Sequence, residues 1–173
     1  MLDAAACIIR PMVSHDLASV LYWRNHPEVR RYMLTQHEIS AEEHQCWFEH
    51  ASQDNSRRLL IVEQNQRALG FVHFSQVSPG GISDWGFYAV PGTPRGSGKK
   101  LGNTALNYAF CDLGLHKICG QAVGFNEASI GFHRALGFSQ EGVLRDQYRV
   151  EDEYQDLICF GLLRHEWVKF SSN

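Results

Sequence analysis

The 173-residue sequence predicts a single α/β domain built on a mixed central sheet flanked by helices. Three observations lead there. Strand-like apolar runs at 58–64, 67–77 and 83–90 follow one another with only short turns between them, which makes an antiparallel meander. A stretch with helical spacing then separates 83–90 from a further strand-like run at 116–123, so those two strands are parallel neighbours. Last, "GFSQEGVLRDQYRVEDEYQDLICFGLLRHEW" reads as two long strands around a turn near Glu151 and Asp152.

In chain order, "ACIIR" at 6–10 is a short first strand. Ser14 caps a helix that carries Leu17, Val20 and Leu21 on one side, and Pro27 breaks it and begins a second helical turn. In "SAEE", Ser40 and Glu43 form a capping box that opens a helix through about Ala51. "RLLIVEQ" and "RALGFVHFSQV" flank Asn65-Gln66, a hairpin turn, and Gly80-Gly81 reverses the chain again. A helix from about Gly98 to Leu113 stops at Gly114. Asn126 caps "NEASIGFHRAL", which Gly137 ends. The terminal "SSN" is a loose end, and no repeat or linker divides the chain, so residues 1–173 read as one domain.

Bulk properties narrow the function classes. A net charge of -3 argues against a nucleic-acid binder, which would show a broad basic face. The basic residues instead cluster at Arg30-Arg31, Arg57-Arg58 and Lys99-Lys100, which suits a small anionic ligand. No apolar run approaches the roughly 18 residues that would suggest a membrane helix, and "MLDAAACIIRPM" does not read as a signal peptide. Five cysteines without a CxxC pair read as buried free thiols in a reducing compartment, the cytoplasm. Nine histidines form neither HExxH nor a zinc spacing, so no metal site is expected.

The stretch "PGTPRGSGKKLGN" at 91–103 lies between a strand and a helix and is rich in glycine and basic residues. A helix start offers unpaired N–H groups and a partial positive charge, and glycine lets backbone approach an anion closely. The stretch is neither GxxxxGK[ST] nor GxGxxG, and taken alone it is either a phosphate loop or a plain connector. It resembles the pyrophosphate loop of the GNAT acetyltransferase superfamily, [Q/R]xxGx[G/A], with Arg95, Gly98 and Lys100 on its three positions. Lys100 departs from the pattern, standing where the family has Gly or Ala. Some thirty residues on, "GFNEASIGFHRALGF" resembles the family's second signature, through Asn126, Ser129, Ile130, Leu136, Gly137 and Phe138.

That resemblance implies a GNAT-like sheet with splayed parallel strands, acetyl-CoA as co-substrate, and a small-molecule acceptor. Backbone of Tyr88, Ala89 and Val90 would pair with the pantetheine arm, one N–H holding the thioester oxygen. Arg95, Gly96, Ser97, Gly98, Lys99 and Lys100 would take the pyrophosphate, with Asn126 and Ser129 on the other side. The family's tyrosine general acid is replaced by His133, which either protonates the leaving thiolate or packs at the cofactor edge while Tyr88 or water does so.

"LYWRNHPEVRRYM" and "ISAEEHQCWF" are most similar to the branch of the superfamily that N-acetylates the 4-amino group of a UDP-linked amino-dideoxy sugar in pseudaminic acid biosynthesis, which feeds flagellin glycosylation. Trp23, Arg24, Asn25, Arg30, Met33, His44 and Trp85 would then bind the UDP-sugar acceptor, cations on its diphosphate and aromatics on its uracil. Asp84 is a further candidate base acting through water. Acetylation of a protein N-terminus or a polyamine, or a non-catalytic acyl-CoA-binding module, are the alternatives. A free edge on the closing strands would allow a homodimer.

Overall fold

The computed structural model describes residues 6–171. Seven strands form one continuous sheet: β1 (Ile8–Pro11), β2 (Arg58–Gln64), β3 (Arg67–Ser75), β4 (Ile82–Ala89), β5 (Lys117–Val123), β6 (Ser139–Val150) and β7 (Glu153–Leu163). Their spatial order is β1-β2-β3-β4-β5-β7-β6. All neighbours are antiparallel except β4 and β5, the expected mixed sheet. The β2–β3 turn works because Asn65 and Gln66 adopt φ of 52° and 61°, the left-handed pair that matches the twist of a tight hairpin.

The helices are α1 (Leu17–Asn25), α2 (Pro27–Arg30), α3 (Ala41–Gln53), α4 (Ser97–Asn107), α5 (Glu127–Ala135) and α6 (Arg164–Ser171). The capping box of α3 forms in both directions, Glu43 N–H donating to Ser40 Oγ and Ser40 N–H to the Glu43 carboxylate. Three expectations need correction. Ser14 does not cap α1; it opens a short 3-10 turn, where the Asp16 carboxylate accepts the Val13 N–H. The helix after the basic loop ends at Asn107 and continues as a wider π turn over Tyr108–Asp112. The second closing strand ends at Leu163, and α6 follows, with Trp167 anchored in the core by donating to Asn107 Oδ1. The first five residues of "MLDAAACIIRPM", the stretch that does not read as a signal peptide, lie outside the described residues, as do the last two residues of "SSN".

Two apolar layers hold the sheet. On one face Val62, Val72, Phe74 and Trp85 meet Leu101, Ala105 and Leu106 of α4 and Leu136 beyond α5. On the other, Leu59, Ile61 and Phe71 meet Val20 and Trp23 of α1 and Phe48 and Ala51 of α3. Among the described residues no helix is long and apolar enough to cross a membrane.

The feature that positions the site is where pairing stops. β4 and β5 are hydrogen-bonded neighbours only at Ile82↔Lys117, Ser83↔Ile118 and Asp84↔Cys119. Beyond those positions β4 stays with β3 up to Ala89, and β5 stays with β7 up to Val123. Two parallel strands held by different partners therefore diverge, and their facing backbone edges open into a cleft. Rings of Trp85, Phe87 and Phe132 pack together beside the opening, with centroids 4.7–6.3 Å apart.

Candidate active site

The cleft leads into a cavity of about 1050 Å3. One part is lined by Phe87, Ala89, Gly98, Gly120, Val123, Asn126 and Ser129 around the splay; the other by Arg24, Met33, His37, Glu43, His44 and Trp47 from α1, α3 and the loop between them.

Backbone geometry decides which groups of β4 are open. Val90 N–H donates to Leu69 O at 2.8 Å, and the β3–β4 register runs unshifted from Gly70↔Ala89 to Ser75↔Asp84. In an antiparallel ladder alternate residues face the partner, so Tyr88 and Val90 spend their N–H and C=O on β3. Ala89 and Phe87 turn theirs toward the splay. Of the three residues expected to offer backbone there, Ala89 does; Val90 does not, and it does not line the cavity. Phe87 was missed, because the sequence does not show which parity faces the gap.

At the mouth of the cleft, Gly96 precedes α4 with φ of 93°, a left-handed position that a side chain would strain. Among the described residues no side chain caps α4. Ser97 N–H donates to Pro94 O and Lys100 N–H to Gly96 O, which leaves the Gly98 and Lys99 donors at an open, positive helix end beside the cavity. Arg95 and Lys99 are exposed there and Ser97 is buried. Lys100 points elsewhere: its Nζ donates to Gln64 at 2.9 Å, on the β2–β3 hairpin. Opposite, Asn126 Oδ1 accepts from Ser129 N–H at 3.0 Å, so the asparagine caps α5 while lining the cavity. Open strand edges below an open helix N-terminus form a cradle that suits a pantetheine arm ending in a pyrophosphate.

His133 is not placed to act as an acid. Trp85 Nε1 donates to its Nε2 at 3.2 Å, which makes Nε2 the acceptor and puts the proton on Nδ1. Nδ1 in turn donates to Ser129 O at 2.8 Å. The ring is 1% exposed and stacks on Phe160 at 4.7 Å, and burial lowers its pKa. Both nitrogens are committed and burial disfavours the protonated ring, which argues against the expected histidine acid. Tyr88 lines the cavity, packs tilted against Phe71 with centroids 5.2 Å apart, and burial pushes its phenol well above the usual value.

The expected acceptor residues separate. Arg24 lines the cavity; its Nη2 donates to Thr35 O, while Nη1 is buried without a hydrogen-bond partner among the described residues. Met33 and His44 line it too, and His44 is 6% exposed and stacked on Trp47 rather than solvent-facing. Trp85 also borders the cavity, but its indole is buried in the core and tied to His133, so it offers no stacking face. Trp23 is core, packed between α1, α3 and the sheet, and does not line the cavity. Arg30 is paired with Glu38 at 3.4 Å outside it. Asn25 ties down the loop through a reciprocal pair of hydrogen bonds with the Ile39 backbone, and faces a separate hollow beside α1 and α2. Asp84 lines the cavity at the fork, where it accepts from Gln76 at 3.3 Å. Among the described residues no cluster of three His, Cys, Asp or Glu side chains could hold a metal.

The sequence profile of the acetyltransferase (GNAT) domain matches residues 7–139. Acetyltransferase PseH of Campylobacter jejuni is 31% identical over 143 residues, covering 83% of this chain and 83% of that protein. Spermidine N(1)-acetyltransferase of Escherichia coli is 26% identical over 97% of this chain and 91% of that protein. In fold, the spermidine N-acetyltransferase of Vibrio cholerae, solved in complex with CoA and spermine, superimposes with a TM-score of 0.85 and 23% identity, covering 94% and 98% of the two chains. The splayed strands, the open helix end beside them and these similarities agree: the chain belongs to the GNAT acetyltransferases, and it is an acetyl-CoA-dependent N-acetyltransferase.

Proposed function

We propose that the acceptor is the 4-amino group of a UDP-linked amino-dideoxy sugar, placing the enzyme in pseudaminic acid biosynthesis in the cytoplasm, upstream of flagellin glycosylation. The observation that carries this reading is Arg24. A guanidinium nitrogen buried beside a cavity with no partner is costly, and burial already pulls the Arg24 pKa down. An anionic group on the ligand removes that cost, and a diphosphate is such a group. A polyamine would bring more positive charge to the same place. The 31% identity to PseH supports the same branch.

In this reading Trp47 and Met33 supply the apolar surface for the nucleoside, in place of Trp23 and Trp85. Gly96, Ser97, Gly98 and Lys99 with Arg95 seat the cofactor pyrophosphate, while Phe87 and Ala89 offer N–H groups to the pantetheine and the thioester oxygen. The departing thiolate takes its proton from water or from Tyr88. A thiol's pKa is only about 1.5 above neutrality, so this step asks little of the protein. Residues 1–173 act as one domain, and the outer edge of β6, where Val143 and Leu144 are exposed, is the surface proposed for a homodimer.

A second reading, spermidine acetylation, draws on Glu43 and Asp84 in the cavity and on the relatives of that activity. CoA release from acetyl-CoA is measured with a UDP-4-amino-4,6-dideoxy sugar and with spermidine at equal concentration. Turnover of the sugar nucleotide with at least 100-fold higher kcat/KM supports the proposal; preference for spermidine overturns it.

A further inference from the structure

We propose that His73 is the general base that takes the proton from the attacking amine. His73 lies on β3 opposite Gly86 of β4, and its ring reaches across the strand pair instead of into either core layer. Gly86 makes that reach possible: a Cβ there would fall 2.1 Å from His73 Nε2, so only a bare Cα leaves room for the ring. The imidazole tip therefore sits directly over β4, one residue from Phe87, whose N–H faces the splay. It also lies on the face that carries Phe71 and Trp47, the acceptor half of the cavity, not the Trp85 and His133 face.

The ring is unencumbered, in contrast to His133. Among the described residues no group hydrogen-bonds to either nitrogen of His73; the ring packs beside Phe71, with centroids 6.0 Å apart. Burial, with a smaller contribution from the Arg57 charge, pulls its pKa down to about 4, so at neutral pH it holds an unprotonated nitrogen. Such a group is a weak base toward a free ammonium. It is sufficient here, because nitrogen becomes much more acidic once its lone pair is shared with the carbonyl carbon.

The step balances simply. The neutral amine attacks the thioester carbonyl, the C–N bond forms, and the C–S bond breaks with its electron pair leaving on sulfur. The proton shed by nitrogen passes to His73 and from there to water, and the thiolate takes a proton from solvent, giving amide and CoA thiol. This holds for any primary-amine acceptor and is independent of the sugar-nucleotide reading.

The test uses His73→Gln, which keeps polarity and approximate size, and His73→Ala, which leaves a hole at the ring. Each is assayed with acetyl-CoA and both a UDP-4-amino-4,6-dideoxy sugar and spermidine. Which acceptor the wild type prefers reports on the acceptor reading, and the variant-to-wild-type ratio on the used acceptor reports on His73. Expected is a loss of about 100-fold or more in kcat for both variants, with the KM for acetyl-CoA within about threefold, and partial restoration of His73→Ala by added imidazole. Turnover by His73→Gln within about threefold of wild type overturns the proposal. So does a loss confined to KM or stability that imidazole leaves unchanged, since that is the behaviour of a packing residue.

Discussion

Trp85 and His133 are joined by a buried hydrogen bond, indole Nε1 to imidazole Nε2 at 3.2 Å, directly over Gly120 of β5. A Cβ at Gly120 would lie 2.4 Å from the imidazole nitrogen and 2.7 Å from the indole nitrogen. The pair thus links β4 to α5 across the base of the splay, and the bare glycine admits it. Gly120→Ala should lower stability by about 1–3 kcal/mol, seen as a fall of several degrees in Tm. An unchanged Tm would mean that the pair can shift without loss.

His133→Phe should leave turnover within about threefold of wild type at every pH assayed with saturating acetyl-CoA. It should also lower stability by about 1–3 kcal/mol, because the Trp85 N–H loses its acceptor. A fall in turnover by about two orders of magnitude, with the thermal melt unchanged, would restore the imidazole to the chemistry.

Arg24→Met removes the buried cation and keeps most of the apolar stem. For a UDP-amino sugar the KM should rise about 10-fold or more, the loss expected from a hydrogen bond to a charged group, with the acetyl-CoA KM little changed. Steady-state kinetics with each substrate varied in turn make the comparison; equal effects on both would place Arg24 outside the acceptor site.

Lys100→Ala should change the acetyl-CoA KM by less than about threefold, since Lys100 Nζ is held by Gln64 on the hairpin. Gly96→Val should raise it more, because a β-branched residue resists the left-handed φ of 93° that opens the helix end. Steady-state kinetics with acetyl-CoA varied read both effects.

Arg10 pairs with Asp16 at 2.8 Å and with Glu63 at 2.7 Å, tying β1 to β2 and to the turn before α1. The Arg10 hydrogen bond holds the Asp16 carboxylate below its usual range. A carboxylate with a depressed folded pKa contributes stability at pH values above its unfolded pKa, about 3.9, and loses it as pH falls through the lower folded value. Asp16→Asn should therefore cost about 1–2 kcal/mol at pH 7 and progressively less below pH 4. Urea melts across that range check the convergence.

Much of the fold was legible because its signals are local. The Ser40 and Glu43 box, the Asn65-Gln66 turn, and the left-handed glycines at 114 and 137 are each satisfied within a few residues. The parallel β4–β5 pair followed from one intervening helix. α6 was not seen, because only Arg164, His165 and Glu166 separate the apolar run of the strand from Trp167 and Val168, too short a break to mark where strand gives way to helix. The GNAT signatures are legible for the same reason as the caps: the loop and helix N-terminus that would bind a pyrophosphate are one contiguous segment.

The acceptor side and the chemistry depended on the tertiary structure. Trp23 and Arg24 are adjacent in sequence, yet one is core and the other borders the cavity, a difference set by how α1 rotates against the sheet. The resemblance would make His133 an acid, but its partner Trp85 lies 48 residues earlier, and that contact engages its Nε2. His73 has no local motif; it stands out only once β3 pairs with Gly86. Hydrogen bonds between near neighbours leave a pattern in the sequence, whereas strand parity, helix rotation and the burial of a titratable ring are properties of contacts between distant segments.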